Sequence, residues 1–285
     1  MALKPPPLPS AARRAPSASE LALQDAAAAI QAGRPAEAER LAAEVLKANA
    51  GNVAAMRLLG SALLMQGRGA EAIAPLQRAV RQSRDAGAET WLAMALRQAG
   101  REDEARERLE RAVKRTPPFP PAFLELADMV AAGDADRAVA LLRQGLAAAP
   151  GAADLALALG RLYEARGKLD AAHAAFAQAV AAAPGHRQAL FAYARTLQAR
   201  RDFAQAADSY RRILALQPQD ADAEIGLGIC LMELGRGEEA LPHLRAASHL
   251  SPAKFGEVIG ALADAGRGRF WLRPSDAARA LRGKT

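Results

Sequence analysis

Apolar residues in this chain recur with the spacing of one helix face, in short runs that stop and start again. Leu159, Leu162 and Tyr163 fall at i, i+3 and i+4, and after a break Ala172, Phe176, Ala179 and Val180 repeat the pattern. That period predicts two amphipathic helices with Gly167 in the turn between them. The same pair recurs along the chain, marked by Ala38, Ala72, Ala105, Ala138, Ala172, Ala206 and Ala240, at steps of 34, 33, 33, 34, 34 and 34 residues. Alanine alone is weak evidence, because 75 of the 285 residues are alanine. Its companions decide. Glycine stands five residues before six of the markers (Gly33, Gly67, Gly100, Gly133, Gly167, Gly235), and proline twelve after five of them (Pro117, Pro150, Pro184, Pro218, Pro252). Small residues recur twelve before: Ala26, Gly60, Ala93, Gly160, Ala194 and Gly228. Each unit reads as helix, glycine turn, helix, proline stop.

A lone hairpin of this kind cannot bury both apolar faces, so the units must stack. Alanine and glycine at the crossing points let helix axes approach closely, and the residues four after each marker (Leu76, Leu109, Leu142, Phe176, Tyr210, Leu244) are expected to fill space against the next unit. The pattern resembles the tetratricopeptide repeat family, a tandem array of helical hairpins. Seven repeats are assigned: 19–52, 53–85, 86–119, 120–152, 153–186, 187–220 and 221–254. The family's aromatic early in the first helix is mostly missing, with only Trp91 and Phe123 near it, and Arg201 replaces the turn glycine of the sixth repeat. The resemblance implies an all-α fold, a right-handed superhelical solenoid of antiparallel helix hairpins. Around it lie a proline-rich basic tail (1–18), a capping helix (255–265) and a basic C-terminal tail with a short helix (266–285). Ser17 and Glu20 have capping-box spacing ahead of the first helix.

Composition refines this without changing it. The hydrophobic fraction of 51% is largely alanine, no apolar run is long enough to span a bilayer, and residues 1–16 lack the apolar core of a secretory signal, so a cytoplasmic protein is expected. Alanine, arginine and glycine usage suggests a bacterial source. The net charge of +7 sits in the tails, with +3 over residues 1–18 and +5 over 266–285, leaving the array near −1. Nucleic acid is therefore a disfavoured partner. The only cysteine, Cys230, falls inside a predicted helix as a small packed hydrophobe.

Chemistry finds little foothold. His173, His186, His243 and His249 lack metal-ligand spacing to each other or to a cysteine. Ala278 to Gly283-Lys284-Thr285 fits a permissive phosphate-loop pattern, but the chain ends where the required helix would begin. No cofactor, metal or catalytic residue is expected, and the protein is read as a noncatalytic interaction scaffold. A regulatory or substrate-recruiting subunit of a separately encoded enzyme, and an adaptor working through the basic tails, are the alternatives.

Function is then expected from a concave groove, which the resemblance places along the first helices of the repeats. Carrying the family's inward positions onto these repeats selects Arg57, Met94, Arg97, Arg161, Phe191 and Arg195 as a groove for a protein or peptide partner. Arg161 and Arg195 beside Phe191 suit an acidic segment, since guanidinium offers forked charge-assisted bonds while the ring buries apolar area. Ile225, Ile229 and Met232 make the last repeat unusually apolar on that face, and Phe270 and Trp271 of the C-terminal tail are expected to dock there. The family's chaperone-tail clamp and sugar-transferase asparagine ladder are both absent, because Asn49 and Asn52 are the only asparagines.

Overall fold

The computed structural model describes residues 17–83, 85–254 and 256. Among them the regular elements are helices, paired as the periodicity predicts: α1 (Ala18–Gln31) with α2 (Pro35–Ala48), α3 (Val53–Met65) with α4 (Gly69–Ser83), and α5 (Ala86–Gln98) with α6 (Glu102–Ala112). Then follow α7 (Pro120–Ala131) and α8 (Ala135–Ala148), α9 (Ala153–Ala165) and α10 (Leu169–Ala182), α11 (Arg187–Ala199) and α12 (Phe203–Leu216), and α13 (Ala221–Glu233) and α14 (Gly237–Leu250). The chain divides into two compact units, one ending at Leu126 and the other beginning at Ala127, so the boundary falls inside α7. The capping helix and tail expected beyond residue 256 lie outside the described residues, as does most of the N-terminal tail.

Helix ends follow from local chemistry. Ser17 opens α1 with a full capping box: its hydroxyl accepts from the Glu20 amide at 3.2 Å, and its own amide donates to the Glu20 carboxylate at 2.6 Å. Asn52, Asp85 and Asp220 cap α3, α5 and α13 through side-chain oxygens that accept from the third amide of the helix. Six of the seven turns between paired helices close with an amide that reaches back five residues, as from Arg34 to Ala29 and from Asp202 to Leu197. That bond requires a left-handed residue, supplied by Gly33, Gly67, Gly100, Gly167 and Gly235, and at the sixth repeat by Arg201 at φ 65°. The turn at Gly133 closes differently, with the Asp134 amide reaching four residues back to Val130.

All seven marker alanines are fully buried. Four of the residues four after them fill glycine sockets. Leu76, Phe176 and Leu244 press onto Gly60, Gly160 and Gly228 of their own repeats, where an added Cβ would overlap the leucine or the ring. Tyr210 does reach the next repeat, lying against Gly226. The antiparallel return of the second helix brings these positions opposite the glycine of the first. There the missing Cβ turns a helix backbone into the floor of a socket.

Candidate functional site

In the first unit, α3 lies directly between α1 and α5, and the three form one face. Two open hollows lie on it, of about 480 and 590 Å³. Every residue lining them comes from a first helix. The first hollow is walled by Leu23, Ala27 and Ile30 of α1, Arg57 and Leu58 of α3, and Trp91 of α5. The second is walled by Leu64 and Met65 of α3 and by Met94, Arg97 and Gln98 of α5. Ile30, Ser61 and Trp91 belong to both, so the two hollows adjoin.

Helical register explains the lining. Counted back from each marker alanine, the walls occupy positions fifteen, fourteen, eleven, eight and seven before it, with Ala54 one turn further at eighteen. Gln24, Leu58 and Trp91 fill the column fourteen before. These positions are one stripe of an α-helix, so a first helix that buries the small residue twelve before the marker against its second helix presents this stripe to the groove. In the second unit the same column holds Ala158, Ala192 and Gly226, and the socket at Gly226 is taken by Tyr210.

The charged residues of the hollows are already matched. Arg57 faces Asp85 at 3.7 Å, and Arg97 faces Glu125 at 3.1 Å. Burial would raise the Asp85 carboxyl, but the Ala88 amide, Ser83 and Arg57 outweigh it and hold the group below the usual carboxylate range. Gln98 donates to the Leu64 carbonyl at 3.3 Å, satisfying a backbone group at the end of α3. The two arginines and Gln98 thus turn their polar heads to partners within the fold, while Gln24, Gln31 and Ser61 add polar groups to otherwise apolar walls.

Of the groove residues read from the sequence, Arg57, Met94 and Arg97 are brought together in these hollows. Arg161, Phe191 and Arg195 lie in the second unit, on α9 and α11. There Arg161 donates to Gln188 at 3.2 Å and Arg195 faces Glu164 at 3.5 Å. The Phe191 ring instead has the Arg187 guanidinium 5.8 Å from its centroid and meets Tyr210 edge-on at 5.7 Å. Arg187 in turn is bonded to buried Asp220, the cap of α13, so one arginine links the ring to the start of the next repeat's first helix. Ile225 and Met232 are buried and Ile229 is half-buried, while Phe270 and Trp271 lie outside the described residues. Trp91 is a groove residue that the family's inward positions do not select. The sequence marks it only as an approximation to the family's early aromatic, whereas the column fourteen before the marker, read in all repeats, places it beside Leu58.

Three of the four histidines serve the fold. His186 caps α11 and touches Asp154 at 3.2 Å, His243 meets Glu224 at 2.6 Å, and His173 stacks on Tyr193 at 5.0 Å. Among the described residues no three His, Cys, Asp or Glu side chains converge as metal ligands, and no helix is long and apolar enough to cross a membrane. Burial pushes the Cys230 thiol up to about 12.

Sequence profiles of the tetratricopeptide repeat match residues 23–88 and 191–254, 86–129, and 129–196. No curated protein matches the chain. Among solved structures, TTC0263, a thermophilic TPR protein of Thermus thermophilus, is 27% identical over 64% of this chain and all of its own, with a TM-score of 0.56. Human IFIT1, in a dimer with m7Gppp-AAAA, is 17% identical over 87% of this chain and 63% of its own, at 0.57. The Cut9-Hcn1 hetero-tetramer of the APC/C is 15% identical over 87% of this chain and 49% of that chain, at 0.59. The last two share the fold alone. With profiles that run from residue 23 to residue 254 and fourteen helices in register with them, the chain belongs to the tetratricopeptide repeat family.

Proposed function

We propose that the protein is an interaction scaffold whose principal binding surface is the face formed by α1, α3 and α5. The observation that carries this reading is the pair of adjoining hollows that share Trp91. Aromatic and methionine side chains in a concave setting concentrate binding energy, since they bury large apolar area at small conformational cost and adapt to the occupant. Met65 stands at the rim, 49% exposed, beside the walls that Trp91 and Met94 form. The role is one of binding, and no chemical step is assigned.

The test is capture of partners from the protein's own cells by the wild-type chain and by Trp91→Ala and Met65→Glu. Partners of this face are expected to bind at least tenfold more weakly to both variants, about 1.4 kcal/mol or more, with helical content unchanged by circular dichroism. Their capture should change little between low and high salt, because apolar anchors are not screened. Partners that persist on both variants and dissociate with salt would place the function on the basic tails.

A further inference from the structure

We propose that the first unit also docks, by one edge and away from its hollows, on a membrane surface rich in anionic lipid headgroups, through a column of cations formed by Lys47, Arg81 and Lys114. The three stand nine residues after the markers of the first three repeats, at or just past the ends of α2, α4 and α6, and all are exposed. Among the described residues no carboxylate pairs with any of them, whereas Glu44 of α2 and Glu107 of α6 are held by Arg40 and Arg111.

The helix dipole draws cations to helix C-termini, but it acts alike in every repeat. Even so, α8, α10 and α12 carry no basic residue in their last turn and fill the same column with Ala147, Ala181 and Ala215. The charge therefore belongs to the first unit and not to the repeat. Acids of the same second helices gather at the opposite end, with Glu37, Glu71 and Glu102 in the first turns of α2, α4 and α6. Because the helices of each pair are antiparallel, the start of α1 also lies at the cationic edge. Leu21, 47% exposed, is in its first turn, and residues 1–16, which lead into it at Ser17, carry Lys4, Arg13 and Arg14 with no acid.

Spacing selects the partner. Consecutive second helices are bridged by the first helix between them, so neighbouring cations stand between one and two interhelical distances apart, roughly 10–20 Å. No two of them can grip one phosphate, and each lies beyond a Debye length of about 8 Å from the next. A protein interface draws its energy from clustered, desolvated anchors, and Leu21 alone is no cluster. Single-stranded nucleic acid stacks its bases on exposed rings, but of the first unit's aromatics Trp91 lines the hollows, Phe123 is buried and Phe119 is half-buried. Anionic lipids diffuse to each cation wherever it stands, so a membrane gathers separate weak attractions that a rigid partner would miss, and Leu21 can enter its interfacial layer.

The experiment is flotation of the full chain with vesicles of phosphatidylcholine alone and with about 30% phosphatidylserine. Wild type is compared with an edge triple (Lys47→Gln, Arg81→Gln, Lys114→Gln) and with a triple of equal charge change in the second unit (Arg143→Gln, Lys168→Gln, Arg195→Gln). Wild type should bind only the phosphatidylserine vesicles and release them as salt rises from about 0.1 to about 0.5 M. The edge triple should bind at least tenfold more weakly, the second-unit triple within about threefold of wild type, and Met65→Glu as wild type, all with unchanged circular dichroism. No binding by wild type, or equal effects of the two triples, would overturn the edge. A short single-stranded RNA that displaces the vesicles and binds wild type but not the edge triple would overturn the membrane and give the edge to nucleic acid.

Discussion

At the residue scale, the most informative departure from the repeat is Arg201. It adopts φ 65° in a turn where five other repeats use glycine, and it still supports the five-residue bond from Asp202 to Leu197 at 2.8 Å. The turn is thus the same turn, held by a residue whose Cβ crowds the following carbonyl. Left-handed backbone costs an L-residue about 1–2 kcal/mol. Arg201→Gly should stabilise the protein by about 1 kcal/mol, part of the relief being offset by the greater freedom of glycine in the unfolded chain. Urea denaturation measures it, with an unchanged slope as the sign that only stability moved. Turn glycines, marker alanines and stop prolines were legible because backbone geometry leaves few residue types able to fill each position. The pairing of Arg57 with Asp85 and of Arg97 with Glu125 was not legible. A side chain's partner at or on the following first helix, as Asp85 caps α5 and Glu125 lies on α7, depends on how far the repeats advance, and no local pattern of residue types encodes that distance.

At the element scale, the first helices differ from the second in what they touch, and this decides which parts of the site the sequence revealed. In three repeats the second helix meets a glycine socket of its first helix, as Phe176 meets Gly160, always sixteen residues apart. A first helix divides its surface between that packing and the groove, and the dividing line moves with single-residue slips such as the step of 33 around Trp91. Adjacent repeats are further tied by Arg187 of α11, which bonds Asp220, the cap of α13. Burial of Asp220 acts to raise its carboxyl, but the Arg187 bond and the Ala223 amide outweigh that and hold it below the usual carboxylate range. A carboxyl depressed in the fold stabilises it only while ionised. Its contribution is present above about pH 4 and is lost as pH falls through the folded value. Asp220→Asn, which keeps the cap, should therefore cost about 1–3 kcal/mol near neutral pH, and the difference from wild type should shrink in acid. Chemical denaturation at about pH 7 and about pH 3 reads both limbs, and a gap that stays constant would mean that ionisation of Asp220 does not carry the difference.

At the scale of the whole molecule, binding and stability belong to different lengths of chain. Every wall of the two hollows comes from α1, α3 and α5, within the unit that ends at Leu126, while α11 to α14 supply none. In a stack where each repeat touches only its neighbours, stability is a sum of repeat and interface contributions, so loss of terminal repeats is felt gradually and locally. A chain ending at Pro184 lacks α11 to α14 but keeps α1 to α10 and the whole groove. It should remain helical, unfold at lower denaturant than the full chain because it has fewer interfaces, and bind a groove partner within about threefold of the full chain, a change below about 0.7 kcal/mol. Circular dichroism and fluorescence anisotropy with a captured partner sensitive to Met65→Glu would measure these separately. A chain that unfolds outright on losing α11 to α14 would mean that cooperativity spans the array, against nearest-neighbour stacking. One that stays helical yet loses that partner would move part of the binding surface into the second unit, where Arg161, Phe191 and Arg195 lie.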